Sequence, residues 1–153
     1  VLSLPNPDAT ARFAALIAPL LVPGDILLID GDLGAGKTTF TRALVAALAG
    51  DPASVSSPSF TLLHEYDARF PVVHVDAWRL ADAGELDGLG FDEARDGGIA
   101  VIEWAARVAD GLDVARCWRL RLDHAPDGGR TVCVTAPDDR AALWLQAAAG
   151  WPG

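Results

Sequence analysis

Apolar positions along the chain change period several times, and each change marks an element. Residues 1–4 read as a short strand. Pro5-Asn6-Pro7-Asp8 turns the chain into a helix expected to run to about residue 21, with Phe13, Leu16, Ile17 and Leu20 on one face. Pro23-Gly24-Asp25 turns it again, into an apolar run that starts at Ile26. From Lys37 apolar residues return at helical spacing as far as Gly50, which suits the position just past a helix end. A polar loop rich in serine and proline occupies 51–59, and 60–66 and 72–76 read as an antiparallel pair of strands. Residues 78–91, broken by glycines, predict short helical pieces, and 99–103 a buried strand. Residues 118–123 alternate, with Trp118, Leu120 and Leu122 on one face and Arg119 and Arg121 on the other. Asp127-Gly128-Gly129 then turns into 131–135 as a hairpin, and 138–149 reads as a helix capped by aspartate.

The chemistry concentrates where the first apolar run meets the second helix. Gly31, Gly36, Lys37 and Thr38 satisfy GxxxxGK[ST], and Gly34 adds another residue without a side chain in the turn. Such a turn, opening a helix after a strand, aims backbone N–H groups at phosphate oxygens and adds the positive end of the helix dipole. The segment Gly31, Asp32, Leu33, Gly34, Ala35, Gly36, Lys37, Thr38 and Thr39 is therefore the candidate nucleotide cradle. Lys37 is placed to reach the β and γ phosphates and the Thr38 hydroxyl to ligate Mg²⁺. Lys37 is also the one lysine among twelve basic residues, the rest being arginine. An arginine-favouring genome explains the surface, but not a single lysine kept where a compact point charge suits terminal phosphates.

Composition then sets limits. A chain of 153 residues fits one domain, 1–153, with one well-buried core. No stretch approaches a membrane span, and the apolar run at 13–22, preceded by Asp8 and interrupted by Pro19, reads as an amphipathic helix, so a cytoplasmic protein is expected. The sequence holds no Met, even at position 1, and the numbering is expected to start after a processed or trimmed end. Cys117 and Cys133 make neither a disulfide framework nor a metal set; both read as buried or half-buried structural thiols. A formal charge of −9 argues against bulk nucleic-acid binding and fits solubility or docking onto a more basic protein.

A Mg²⁺–nucleotide also needs carboxylates at the carboxyl ends of strands. Asp76 follows Val72-Val73-His74-Val75 and Glu103 follows Ile99-Ala100-Val101-Ile102, and either suits the acid of the metal site. His74 shares a face with Asp76 and either orients that acid or is a satisfied core or edge histidine. Glu85 and Asp87 read as solvated helix charges; Arg119 and Arg121 read as edge-strand charges or a docking patch.

GDLGAGKTTF at 31–40, SPSFTL at 57–62, HVDAWRL at 74–80, Glu85-Leu86 and IEW at 102–104 occur in an order that resembles the TsaE family, the bacterial ATPase of tRNA threonylcarbamoyladenosine biosynthesis. The resemblance implies an α/β, P-loop NTPase-like three-layer sandwich with a mixed, mostly parallel sheet and an antiparallel carboxy-terminal hairpin. It implies ATP and Mg²⁺ as cofactors and the TsaB–TsaD complex as partner, with tRNA reached only through that complex and no membrane. Carried across, Lys37 serves the phosphates, Thr38 and Glu103 resemble the Mg²⁺ ligands, and Asp76 resembles an essential acid near the γ-phosphate. Ser57, Pro58, Ser59, Phe60 and Thr61 resemble a mobile, switch-like loop; Trp104 resembles the aromatic after the metal acid; Pro7, Thr10 and Arg130 lie where the family approaches the nucleobase. Trp78 and Ser59 depart from the usual tyrosine and threonine, and Ala106 stands where an acid is frequent. The expected reaction is hydrolysis of ATP by water, slow in the isolated chain if an arginine comes from a partner; Arg79 is the internal alternative. A nucleotide-gated binding module and a small-molecule kinase remain the alternatives, the latter disfavoured by scattered Arg69, Arg79 and Arg95.

Overall fold

The apolar runs that begin at Ile26 and Ile99 lie side by side inside one sheet, where burial on both faces removes any need for alternation. In the computed structural model, which describes residues 1–56 and 62–152, the strands are β1 (Leu2–Leu4), β2 (Ile26–Asp30), β3 (Leu63–Tyr66), β4 (Val72–Asp76), β5 (Ile99–Glu103), β6 (Trp118–His124) and β7 (Arg130–Thr135). They are ordered β1-β7-β6-β2-β5-β4-β3. β2 pairs parallel with β5 and β6, and β4 parallel with β5; the pairs β1–β7, β6–β7 and β3–β4 are antiparallel. β1, β2, β4, β5 and β6 thus run one way and β3 and β7 the other, a mixed, mostly parallel sheet ending in the expected hairpin.

Helices α1 (Pro7–Ile17), α2 (Lys37–Ala47), α3 (Ala83–Gly88), α4 (Phe91–Ala94) and α5 (Ala141–Ala148) complete three layers. Phe13, Ile17, Phe40, Leu44 and Trp144 pack on Leu27, Ile29 and Trp118 on one face of the sheet. Leu80, Leu86, Phe91 and Val108 pack on Leu28, Val73, Val75 and Ile102 on the other. Phe13 joins three elements, its ring 5.3 Å from Phe40 and 6.3 Å, edge-on, from Trp144. Among the described residues no helix is long and apolar enough to cross a membrane.

Several boundaries differ from the expectation for local reasons. α1 stops at Ile17 and continues as a 3₁₀ turn, Ala18–Leu20, because Pro19 offers no N–H to the helical ladder. α2 stops at Ala47, and Ala49, not Gly50, takes the left-handed position with φ 65°. The Ala49 N–H donates to Ala46 O at 3.0 Å and the Gly50 N–H to Val45 O at 2.8 Å, the paired bonds of a Schellman end. No aspartate caps the last helix: residues Asp138–Arg140 form a 3₁₀ turn before α5, and Arg140 turns inward to buried Asp25, with Nη2–Oδ1 2.6 Å and Nη1–Oδ2 2.8 Å. Glu85 is more than a solvated charge, since its Oε2 accepts the Ala81 N–H while Asp82 Oδ1 accepts the Glu85 N–H, closing the start of α3. Arg119 and Arg121 are not edge charges, because β6 lies between β2 and β7 and their side is the less covered face of an inner strand. Cys117 is buried as expected but Cys133 is exposed; both are free, and the residue opposite Cys133 is Arg121.

A left-handed Ala carries a steric cost that Gly avoids. Ala49→Gly is therefore expected to stabilise the fold by about 0.5–1 kcal/mol, seen as a rise of ~1–4 °C in Tm for a chain of this size. An unchanged or lower Tm by calorimetry would contradict this account of the helix end.

Candidate active site

The loop between β2 and α2 is shaped by what cannot stand in it. Gly31, with φ 148°, passes so close to β6 that a Cβ there would strike the Leu122 carbonyl, and Gly36 opens α2 with φ 100°, left-handed. Lys37 then begins the helix and folds back under the loop. Its Nζ donates to Gly31 O at 2.7 Å and Asp32 O at 2.9 Å, and lies 4.0 Å from the centroid of the Trp104 ring. Burial pushes the Lys37 ammonium below the ordinary lysine range, against the opposing pull of Glu103, Asp76, Asp30 and Asp32.

The two acids of the sequence meet at this point. Asp76 and Glu103 end adjacent parallel strands and are direct register partners, and Glu103 is also the partner of Ile29 in β2. Glu103 is 3 % and Asp76 6 % exposed, so both carboxylates are largely removed from water. The Thr38 hydroxyl donates to Glu103 Oε1 at 2.9 Å, and the same oxygen lies 2.9 Å from His74 Nε2. Asp76 Oδ1 accepts the Trp78 N–H at 3.0 Å and so starts the 3₁₀ turn Ala77–Arg79. A cavity of about 530 Å³ brings Lys37, Thr38, Asp76, Trp78, Glu103 and Trp104 together. Leu33, Gly34, Gly36 and Thr39 line the same cavity, whereas Asp32 reaches Lys37 through its carbonyl and Ala35 is buried beneath the loop.

Trp104 follows Glu103 in a left-handed conformation, φ 57°, which is costly for a bulky residue. The bend lays its ring over Lys37 and against half-exposed Trp78, with centroids 4.5 Å apart. Pro7, Thr10 and Arg130 are likewise brought together: all three line a neighbouring cavity of about 270 Å³ that shares Gly34, Gly36 and Thr39 with the first. Arg130 also holds the loop itself, Nη2 donating to Gly34 O at 2.9 Å and Nη1 to Gly129 O at 2.8 Å.

The Thr38 hydroxyl and Glu103 carboxylate offer hard oxygen donors at hydrogen-bond distance from each other, a set that fits Mg²⁺. Among the described residues no group of three or more His, Cys, Asp and Glu side chains forms an all-protein metal cage, so the remaining ligands of such an ion would be water and phosphate oxygens. Ser57, Pro58, Ser59, Phe60 and Thr61 lie outside the described residues. His74 does not orient Asp76 by a direct bond of its ring; its Nε2 bonds Glu103 on the next strand, while Nδ1 lies 2.9 Å from Tyr66 Oη. Period-two alternation places His74 on the correct face but cannot supply the strand register that sets it diagonally across from Glu103. Tyr66 carried no signal beyond its place in an apolar strand.

Because the chain has one lysine, ¹³C-lysine labelling gives a single Cε resonance for a pH titration. Its midpoint is expected below that of an exposed lysine, in the direction set by burial. An ordinary or raised midpoint would contradict the buried geometry described for Lys37.

The profile of the family described as "Threonylcarbamoyl adenosine biosynthesis protein TsaE" matches residues 4–132. Curated relatives carry the name tRNA threonylcarbamoyladenosine biosynthesis protein TsaE. The chain is similar to the one from Bacillus subtilis at 39 % identity, covering 88 % of this chain and 84 % of that protein. The relative from Treponema pallidum is 39 % identical over 82 % of this chain and 92 % of its own, and that from Rickettsia felis 42 % over 69 % and 62 %. The crystal structure of Bacillus subtilis YdiB superposes with a TM-score of 0.73 and 32 % identity, covering 94 % of this chain and 89 % of that one. The P-loop NTPase-like sandwich, the ordered motifs and the profile over most of the length agree: the chain belongs to the TsaE family of tRNA threonylcarbamoyladenosine biosynthesis.

Proposed function

We propose that this chain is a Mg²⁺-dependent ATPase that serves threonylcarbamoylation of tRNA adenosine 37 by acting on the TsaB–TsaD complex. The observation that carries the reading is the Thr38–Glu103 contact of 2.9 Å beside buried Lys37, with Asp76 lining the same cavity. Phosphates seated on the glycine turn would meet the α2 N-terminus and the Lys37 ammonium, which exchanges loop carbonyls for phosphate oxygens. Thr38 and Glu103 would hold Mg²⁺, whose chemistry when bound is neutralisation of charge on the β and γ oxygens. The base side would fall in the cavity of Pro7, Thr10 and Arg130.

In the reaction, water attacks the γ-phosphorus while the bond to the β–γ bridging oxygen breaks, giving ADP and phosphate. Asp76 orients that water and takes up its proton, and its fixed Oδ1 contact with the Trp78 N–H holds the carboxyl in place. Lys37 and the loop amides stabilise the charge that moves onto the leaving oxygen. A formal charge of −9 weighs against bulk attraction to RNA phosphates, which fits contact with tRNA only through the partner complex.

ATP hydrolysis by the purified chain with Mg²⁺, alone and with TsaB–TsaD and tRNA, tests the proposal, with Lys37→Ala as the blank. Stimulation by the complex is expected, up to about 10³- to 10⁵-fold if a partner arginine enters the site. Asp76→Ala should bind ATP as the parent does and lose about 10²- to 10⁴-fold in hydrolysis. Retained biological activity in Asp76→Ala, or tight ATP binding without turnover in either setting, would replace the ATPase by a nucleotide-gated binding module.

A further inference from the structure

Behind Glu103 the sheet carries a polar chain that the hydrolysis scheme does not use. His74 is fully buried in the middle of β4, an expensive place for an imidazole unless both ring nitrogens are satisfied. Both are. Nε2 lies 2.9 Å from Glu103 Oε1, and Nδ1 lies 2.9 Å from the hydroxyl of Tyr66, which is itself buried on the neighbouring strand β3. The Tyr66 oxygen has two further contacts at 3.3 Å, His64 Nδ1 and the Ser56 carbonyl, the latter a second acceptor for the tyrosine O–H.

With Glu103 ionised and the His74 ring neutral, donor counting assigns the protons along this chain. An ionised carboxylate only accepts, so Nε2 must carry the hydrogen donated to Glu103. A neutral imidazole then has its lone pair on Nδ1, and the single Tyr66 O–H donates to it at 2.9 Å in preference to the Ser56 carbonyl at 3.3 Å. The Tyr66 oxygen keeps a lone pair that can accept from His64 Nδ1 when that nitrogen carries the hydrogen. Glu103 Oε1 thus receives two hydrogens, from Thr38 on the helix side and from His74 on the sheet side. Two donors from different elements hold one carboxylate oxygen of a residue that lines the cavity.

We infer that His74 is a positioning residue for Glu103, held as its Nε2–H tautomer by the Tyr66 hydroxyl, and that it sets the affinity of the site for the divalent ion. This inference rests on the reading of Glu103 as a Mg²⁺ ligand. The physical case is that a carboxylate ligand fixed by outer hydrogen bonds loses less rotational freedom when it takes up an ion, and such outer partners are typically worth 10- to 100-fold in metal affinity. The Glu103–His74–Tyr66 order is the carboxylate–histidine pairing of metal sites turned round, with the carboxylate rather than the imidazole facing the ion.

Two measurements test it. In the metal-free protein, ¹⁵N spectra of the imidazoles at mildly alkaline pH resolve only three histidines. His74 is expected as the Nε2–H tautomer, with that preference weakened in Tyr66→Phe. An Nδ1–H tautomer in the parent would overturn the inference. In the second, the Mg²⁺ concentration that half-saturates the gain in ATP affinity is measured for the parent, His74→Leu and His74→Gln, each checked for folding by thermal melting. His74→Leu should require about 10- to 100-fold more Mg²⁺ with ATP affinity in EDTA unchanged. His74→Gln, whose amide still donates near the Nε2 position, should recover most of that loss, which a merely space-filling role would not produce. A parent that responds to Mg²⁺ while His74→Leu responds identically overturns the positioning role alone. A parent whose ATP affinity ignores Mg²⁺ overturns the metal–nucleotide reading itself.

Discussion

The parallel register of β4, β5 and β2 governs where the reacting groups can stand. Asp76 pairs with Glu103 and Glu103 with Ile29, so one level across three strands carries both acids and the last apolar residue before the glycine turn. Strand spacing of about 4.8 Å then brings the acids within reach of a single ligand without any side chain having to stretch. A shift of one residue in β5 would send Glu103 to the opposite face, among the residues packed under α3 and α4, and leave Thr38 without its acceptor. Helix α2 is tied to this end of the sheet twice, through the Lys37 bonds to the Gly31 and Asp32 carbonyls that follow β2 and through the Thr38–Glu103 bond.

Water is largely excluded from this level, so its one lysine and two carboxylates act strongly on each other. Lys37, Asp76 and Glu103 are all nearly buried, and each is held by donors or acceptors of the backbone or of a neighbouring side chain. The lowered Lys37 pKa records the cost of that burial, and the surrounding carboxylates offset it. Away from the site the one comparably buried ion pair among the described contacts, Asp25 with Arg140, fastens the carboxy-terminal turn to the segment entering β2.

Local sequence carried much of this arrangement. GxxxxGKT, with an apolar strand before it and helical spacing after it, predicts the cradle because backbone requirements alone specify that motif. The strands ending at Asp76 and Glu103 are legible as apolar runs terminated by acids. The bond from His74 to Glu103 is not, since it depends on which strands pair and in which register, and no period within one strand records that. The aspartate cap before α5 fails for a related reason: Arg140 answers to Asp25, 115 residues away, and the helix starts only after it. Ala49 in a left-handed position shows tertiary packing overriding the local preference for glycine, with Gly50 one residue too late. Trp104 could be found only through the family motif, because nothing in residue pattern predicts a tryptophan bent over a lysine.

The central claim is that α2 and β5 together form one metal–nucleotide site. A double-mutant cycle with Thr38→Val and Glu103→Gln, read as ATP affinity with and without Mg²⁺, tests it most directly. The account predicts strong coupling with Mg²⁺, non-additive by about 0.5–3 kcal/mol, and the loss of most of that coupling in EDTA. Additive effects that are the same with and without the ion would contradict it.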